Sequence, residues 1–238
     1  MNIPGYTLTI LLIEIINLFF IYKHKKNINF KKLIYTNIFC IIGGIIQIYI
    51  LECVPKFEAW YFNRSSILNI FLFEKIAIED IVFVHACTNL FYYLKYLFKK
   101  YLNDFIWKKK NINITLIFLL TIMMQILWAI GGESSKHLIA VYIIPILIFW
   151  CFYKENIKIH WVCFYLMLIS VCLIGFGWDF LNVTIFKHWF YNKKCSYLSQ
   201  EGFFFKDRLH ISISITYNIT GFLYFYIFDE LSELISKK

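Results

Sequence analysis

The sequence predicts an all-α, polytopic membrane protein of about seven transmembrane helices, built as two parallel three-helix repeats joined by a linking helix. Three observations carry this. Hydrophobic residues make up 60% of the 238 residues and charged ones only 16%, with a mean hydropathy of +0.63. The apolar residues come in long runs rather than in strand or helix alternation, which is a bilayer composition and not that of a soluble core. An aromatic cluster also recurs: W-Y-F-N at 60–63 and W-F-Y-N at 189–192, 129 residues apart.

Runs near the twenty or so residues needed to cross a bilayer fall at roughly 4–22, 33–51, 76–98, 113–131, 137–153, 160–180 and 210–229. Six spans is the competing count, because the fifth run is the shortest and the third carries polar residues. The runs are continuous and rich in Ile, Leu and Phe, with three Pro and nine Gly in the chain, so helices fit and a closed β-barrel does not. The first run follows the uncharged MNIPGY and precedes KHKK, the reverse of a secretory signal's charge order, and reads as a retained span.

With seven spans, one set of connections holds fourteen basic residues and the other nine. The positive-inside rule then places the N-terminus outside the cell membrane and the C-terminus in the cytoplasm. Basic loops facing anionic lipid headgroups account for most of the net charge of +9, which calls for no nucleic-acid partner. The seven cysteines are scattered singly with no metal-ligand spacing, so no metal site is expected. Most read as small core residues, while Cys53 and Cys195 fall in the two long outer connections and could be bridged.

Those connections, 52–75 and 181–209, each hold an aromatic cluster, and at the same offset Asn89 matches Asn218 inside the following span. The chain divides into a first repeat at 1–98, a linking helix and loops at 99–136, and a second repeat at 137–238. An odd number of spans per unit needs a linking span if both units are to point the same way. A site is expected between the repeats, beneath the two aromatic loops.

Ionisable groups within a span cost about 2.5–3.5 kcal/mol on translocon scales, so each needs an explanation. The candidates are Glu79, Asp80, His85, Asp179 and His210, whereas Lys95 lies near the cytoplasmic end of its span and can snorkel. Glu79 and Asp80, adjacent at the mouth of the third span, are about 100° apart around a helix. If Glu79 points inward, its face continues through Val82, Phe83 and Ala86. Two such carboxylates in a site of low dielectric raise each other's pKa, leaving one able to hold a proton near neutral pH. The plainer reading is an acidic first turn favoured by the helix macrodipole. His85 and Asn89 sit one turn apart and suit an interhelical hydrogen bond. Asp179 follows G-F-G-W at 175–178, where the glycines allow close helix contact, and it could equally be an interfacial cap. The rings of Trp60, Tyr61, Trp189 and Phe190 would ordinarily form an interfacial belt. Beside an acid, such faces can also stabilise a passing carbocation.

The two apolar spans, W60-Y61-F62-N63, I67-L68-N69 and I76-A77-I78-E79-D80-I81-V82-F83 together resemble the integral-membrane lycopene cyclases, the heterodimeric bacterial enzymes and their fused archaeal and fungal relatives. The second half offers W178-D179 and W189-F190-Y191-N192. The likeness covers most of 5–98 and, more weakly, 160–229. Ala77 stands in place of the usual proline, Asp80 in place of a second Glu and Asn69 in place of a glycine. In the second half the 129-residue offset sets Arg208 and Leu209 against the two acids.

The resemblance implies redox-neutral, acid-catalysed closure of the linear ends of lycopene to β-rings, with a hydrophobic polyene as substrate and membrane lipids as surroundings. Glu79 would donate the proton, with Asp80 tuning it or accepting the proton back. Trp60, Tyr61, Phe83, His85, Asn89, Trp178, Asp179, Trp189, Phe190 and Asn218 would line the substrate. Gly43, Gly44, Gly131, Gly132, Gly175 and Gly177 lie in or at the ends of spans and form no nucleotide fingerprint, so no cofactor is expected. A homo-oligomer is compatible with the sequence. The alternative is a non-catalytic lipid- or isoprenoid-binding scaffold that kept the cyclase fold. A retinal pump is disfavoured because 210–229 has no lysine, and a transporter because no paired Gly or Pro interruption appears.

Overall fold

A computed structural model describes residues 3–53, 60–73, 76–101, 110–111, 158–159, 161–192, 204–205 and 209–236. These are mostly helical. Helix α1 is Gly5–Lys23, α2 Phe30–Cys53, α3 Ile78–Tyr101, α4 Trp161–Asp179 and α5 Ile211–Ser236, and α4 runs on as a π-helical turn at Phe180–Ile185. The expected runs at 113–131 and 137–153 lie outside the described residues, as does Cys195 and with it the Cys53–Cys195 pairing.

Three segments, Gly5–Lys23, Ile78–Tyr101 and Cys163–Ile185, are long and apolar enough to cross a membrane, which marks the chain as membrane-associated. Burial agrees, because the helices are built inside out. On α1 the buried face is Tyr6, Thr7, Ile10, Glu14, Asn17 and Ile21, a three–four spacing that brings a carboxylate and an amide inward. Leu8, Leu11, Leu12, Ile15, Ile16, Leu18 and Phe19 face out. On α2 the outward stripe is Ile34, Ile38, Ile42 and Ile46, one residue per turn. Large aliphatic side chains on the outside and hydrogen-bonding ones on the inside suit a hydrocarbon solvent, not water.

Local chemistry sets the helix starts. Pro4 precedes α1, where its missing N–H would have had no partner anyway. The Asn29 side chain caps α2 by accepting from the Lys32 amide at 3.0 Å. The third span was expected from residue 76, but Ile76–Ala77 forms strand β3, paired antiparallel with β2 at Phe71–Leu72. The last helix was expected to end near 229, yet α5 reaches Ser236. Hydropathy stops at Asp229, Glu230 and Glu233, whereas the fold pairs all three with lysines. Lys32 Nζ lies 3.0 Å from both Asp229 and Glu233, and Lys95 Nζ bonds Asp229 and, at 2.6 Å, Glu230. Lys95 therefore does not snorkel: it is 3% exposed and held between α3 and α5.

The purely helical expectation needs a second correction, because the two aromatic clusters are strands. Trp60–Phe62 (β1) pairs antiparallel with Trp189–Tyr191 (β6), in the register Trp60↔Tyr191, Tyr61↔Phe190, Phe62↔Trp189. Between them in the chain, Lys110–Asn111 (β4) pairs with Lys158–Ile159 (β5). Phe204–Phe205 (β7) pairs with Leu209–His210 (β8), and α5 starts at the next residue, as α3 does after β3. The β2–β3 hairpin thus recurs 133 residues later, not 129. By that register Asn218 aligns with His85 rather than Asn89, and Ser212 and Ile213 take the places of Glu79 and Asp80.

Candidate functional site

β1 and β6 form a two-stranded roof over the ends of α1, α3 and α4. Side chains alternate along a strand, so Trp60 and Phe62 turn inward with Trp189 and Tyr191, while Tyr61 and Phe190 fall on the other face. Tyr61 is 57% exposed and its ring meets Phe190 at 5.7 Å, on the opposite side from the cleft. The cleft itself, partly open, is lined by Tyr6, Trp60, Phe62, Asp80, Phe83, Asp179, Trp189 and Tyr191.

Tyr6 of α1 is the hub of the wall. Its ring stacks on Phe62 at 5.5 Å, meets Trp189 edge-on at 5.1 Å and lies 5.9 Å from His188. Beneath it, Phe83 stacks on Trp178 at 5.6 Å with the planes 15° apart. Alternation along W-Y-F and W-F-Y would have separated Trp60 and Phe62 from Tyr61, and Trp189 and Tyr191 from Phe190. Phe62 and Tyr191 are not among the expected lining residues because the clusters read as loops, and Tyr6 lies outside both clusters, on α1.

Two carboxylates enter this cleft, one from each half of the chain. Asp80 stands in the first turn of α3 and is 6% exposed. Asp179 ends α4, accepts a hydrogen bond from Ser214 Oγ of α5 at 2.5 Å, and is hydrogen-bonded by the Tyr191 side chain. Asp179 is held where α4 widens into the π-helical turn, a distortion that often marks functional positions. Glu79 is turned elsewhere. Its Oε1 accepts from Thr7 Oγ1 at 2.7 Å and from the Leu68 amide at 2.6 Å, and it is absent from the cleft wall. Its Oε2 is buried with no hydrogen-bond donor among the described residues.

Glu79 thereby anchors the loop that leads into α3. That loop turns at Asn69, with φ 60°, and the Asn69 side chain donates to the Arg64 carbonyl at 2.9 Å. A left-handed residue is cheapest as glycine and next cheapest as asparagine, so Asn69 suits the turn.

His188 borders the wall. Asn182 Nδ2 donates to the Trp178 carbonyl at 2.8 Å, so its Oδ1 accepts from His188 Nδ1–H at 2.7 Å. Burial holds the His188 imidazole below its ordinary pKa.

The remaining expected residues go to other places. His85 pairs with Glu14 of α1, and Asn89 reaches Glu14 Oε2 at 3.4 Å and accepts from Asn37 at 2.9 Å. This is a separate polar seam between α1, α2 and α3, continued by Asn17 donating to the Ala86 carbonyl at 2.8 Å. Glu14 was missed although Thr7, Glu14 and Asn17 share one helix face. Asn218 lines a second cavity, described below. Among the described residues no cluster of His, Cys, Asp and Glu is arranged to hold a metal ion.

No family model, curated protein or solved structure matches this chain.

Proposed function

We propose that this chain is a membrane-embedded cyclase that closes the linear ends of a polyene such as lycopene to β-rings by proton addition and proton loss. The observation that carries the reading is that Asp80 and Asp179 share one cleft walled by Tyr6, Trp60, Phe62, Phe83, Trp189 and Tyr191. One carboxyl protonates a terminal double bond. The cation closes on the neighbouring alkene, and the other carboxylate takes a proton from the carbon beside the ring cation. The product is an isomer of the substrate, so no oxidant or cofactor is required. Aromatic faces around an excluded-water cation supply about 2 kcal/mol or more each when well placed. Asp80 takes the donor part first assigned to Glu79, because Glu79 is committed to Thr7 and Leu68. Glu79 is then a positioning residue that fixes the loop before α3.

The architecture proposed with it is a seven-span chain in the cell membrane, N-terminus outside and C-terminus cytoplasmic, made of two parallel repeats. Its support is internal. Equivalent residues Tyr61 and Phe190 pair at the centre of an antiparallel ribbon, the relation a two-fold axis along the membrane normal produces. The hairpins before α3 and α5 share one register, each followed at once by its helix. The β4–β5 pair joins the chain following α3 to the chain preceding α4, as an odd span count requires.

Expression in a lycopene-accumulating host tests the reading. Wild-type protein should convert the pigment, Asp80→Asn and Asp179→Asn should each abolish conversion, and unchanged pigment with folded wild-type protein would reject it. The second reading, a non-catalytic isoprenoid binder, draws on Ser212 and Ile213 standing where the first half carries its acids. It predicts that polyene is bound and recovered unchanged.

A further inference from the structure

A second, partly open cavity lies between α2, α3 and α5, lined by Cys40, Gly44, Val84, Phe91, Gly221 and Phe225 among others. Phe83 belongs to the wall of both this chamber and the acid cleft, so one ring divides two adjoining spaces. Two of the hydrogen-bond donors at the chamber wall are already engaged. Thr88 Oγ1 donates to the Val84 carbonyl at 2.8 Å, and Asn218 Nδ2 donates to the Ser214 carbonyl at 2.7 Å. A polar ligand would gain little there, whereas a hydrocarbon would bury apolar surface at about 25 cal/mol per Å².

We infer that this chamber holds the linear hydrocarbon remainder of the molecule whose end group reacts in the cleft, with Phe83 at the boundary and Gly221 setting how much chain is admitted. The inference rests on the cyclase reading for the identity of the chain. Gly221 is the residue to alter, because a Cβ built there meets nothing within 4 Å, so added bulk enters open space. Gly44 is unsuitable, since a Cβ there would stand 2.8 Å from both Val84 methyls. Gly177 offers a control: its Cβ also meets nothing within 4 Å, and it lines neither cavity.

The test is equilibrium binding to the full chain in lipid nanodiscs, read by energy transfer from tryptophan to the polyene and therefore independent of turnover. The probes are lycopene and a linear polyene of half its length with the same terminal group. Gly221→Phe is expected to weaken lycopene tenfold or more and the short polyene much less, while Gly177→Phe leaves both unchanged. Gly221→Ala and Gly221→Leu should fall between, which keeps the series informative if the phenylalanine variant does not fold. An unchanged ratio of the two affinities across the folded Gly221 series would overturn the inference. Tight lycopene binding by wild type without ring formation defeats the cyclase reading and leaves the chamber standing. Undiminished ring formation in Gly221→Phe defeats the chamber and leaves the cyclase.

Discussion

Asp229 sits between two buried lysines, and its replacement by Asn gives a graded stability prediction. The carboxylate is fully buried and pairs with Lys32 at 3.0 Å and with Lys95. Removing one partner of a buried pair costs about 3–5 kcal/mol, chiefly because the other charge is left uncompensated. Here neither lysine is stranded: Lys32 keeps Glu233 at 3.0 Å and Lys95 keeps Glu230 at 2.6 Å. The cost therefore belongs at the lower end, about 3 kcal/mol, which for a chain of this size lowers the melting temperature by about 6–12 °C. Adding Glu230→Gln leaves Lys95 with no carboxylate among the described residues and should bring the total to the upper end or beyond. Intrinsic-fluorescence melting in detergent reads both. A single variant melting within about 1 °C of wild type, or a double variant no worse than the single, would refute the assignment of Asp229 as the bridge of a buried network.

Other expectations follow from the same geometry. Thr7→Val removes one of the two donors to Glu79 and should cost about 1–3 kcal/mol, measured by the same melting. Asn69→Val forces a β-branched residue to φ 60° and should cost at least about 1–2 kcal/mol, whereas Asn69→Gly should be far milder. His188 gives a pH dependence of known sign. Its folded pKa is lowered from 6.5, so below that pH the unfolded chain binds a proton that the folded chain resists. Its stabilising contribution is present above about pH 6.5 and is lost as the pH falls through the folded value. His188→Gln should flatten melting temperature between pH 6.5 and 5, and an equally steep profile in that variant would count against the buried imidazole.

The helices were readable because twenty-residue apolar runs need no knowledge of partners: α1, α2, α3 and α4 begin within about three residues of the expected spans. What could not be read was contact across the chain. Lys95 looked like a snorkelling end residue until Asp229 and Glu230, over a hundred residues later, placed carboxylates against it. The same partners explain why α5 outruns its apolar stretch. At the site, residue types were legible but directions were not. Adjacent acids on a helix must diverge, and the sequence reading sent Glu79 inward to the reaction. In the fold Thr7 and the Leu68 amide claim it, and Asp80 faces the cleft. Trp60 and Trp189 lie in the cleft because two strands pair, and only the period-two alternation, unread in W-Y-F and W-F-Y, could have exchanged Tyr61 and Phe190 for Phe62 and Tyr191. Asn218 was matched to Asn89 because the four residues added before the second hairpin are invisible in the aromatic clusters themselves.

The most direct measurement is the mass of the product formed from lycopene by membranes containing this chain in deuterated water. Proton addition from an exchangeable carboxyl requires one deuterium on carbon for each ring closed, with Asp80→Asn giving neither ring nor label. Rings formed without deuterium, or a deuterated product made equally well without the Asp80 carboxyl, would contradict the two-carboxylate account.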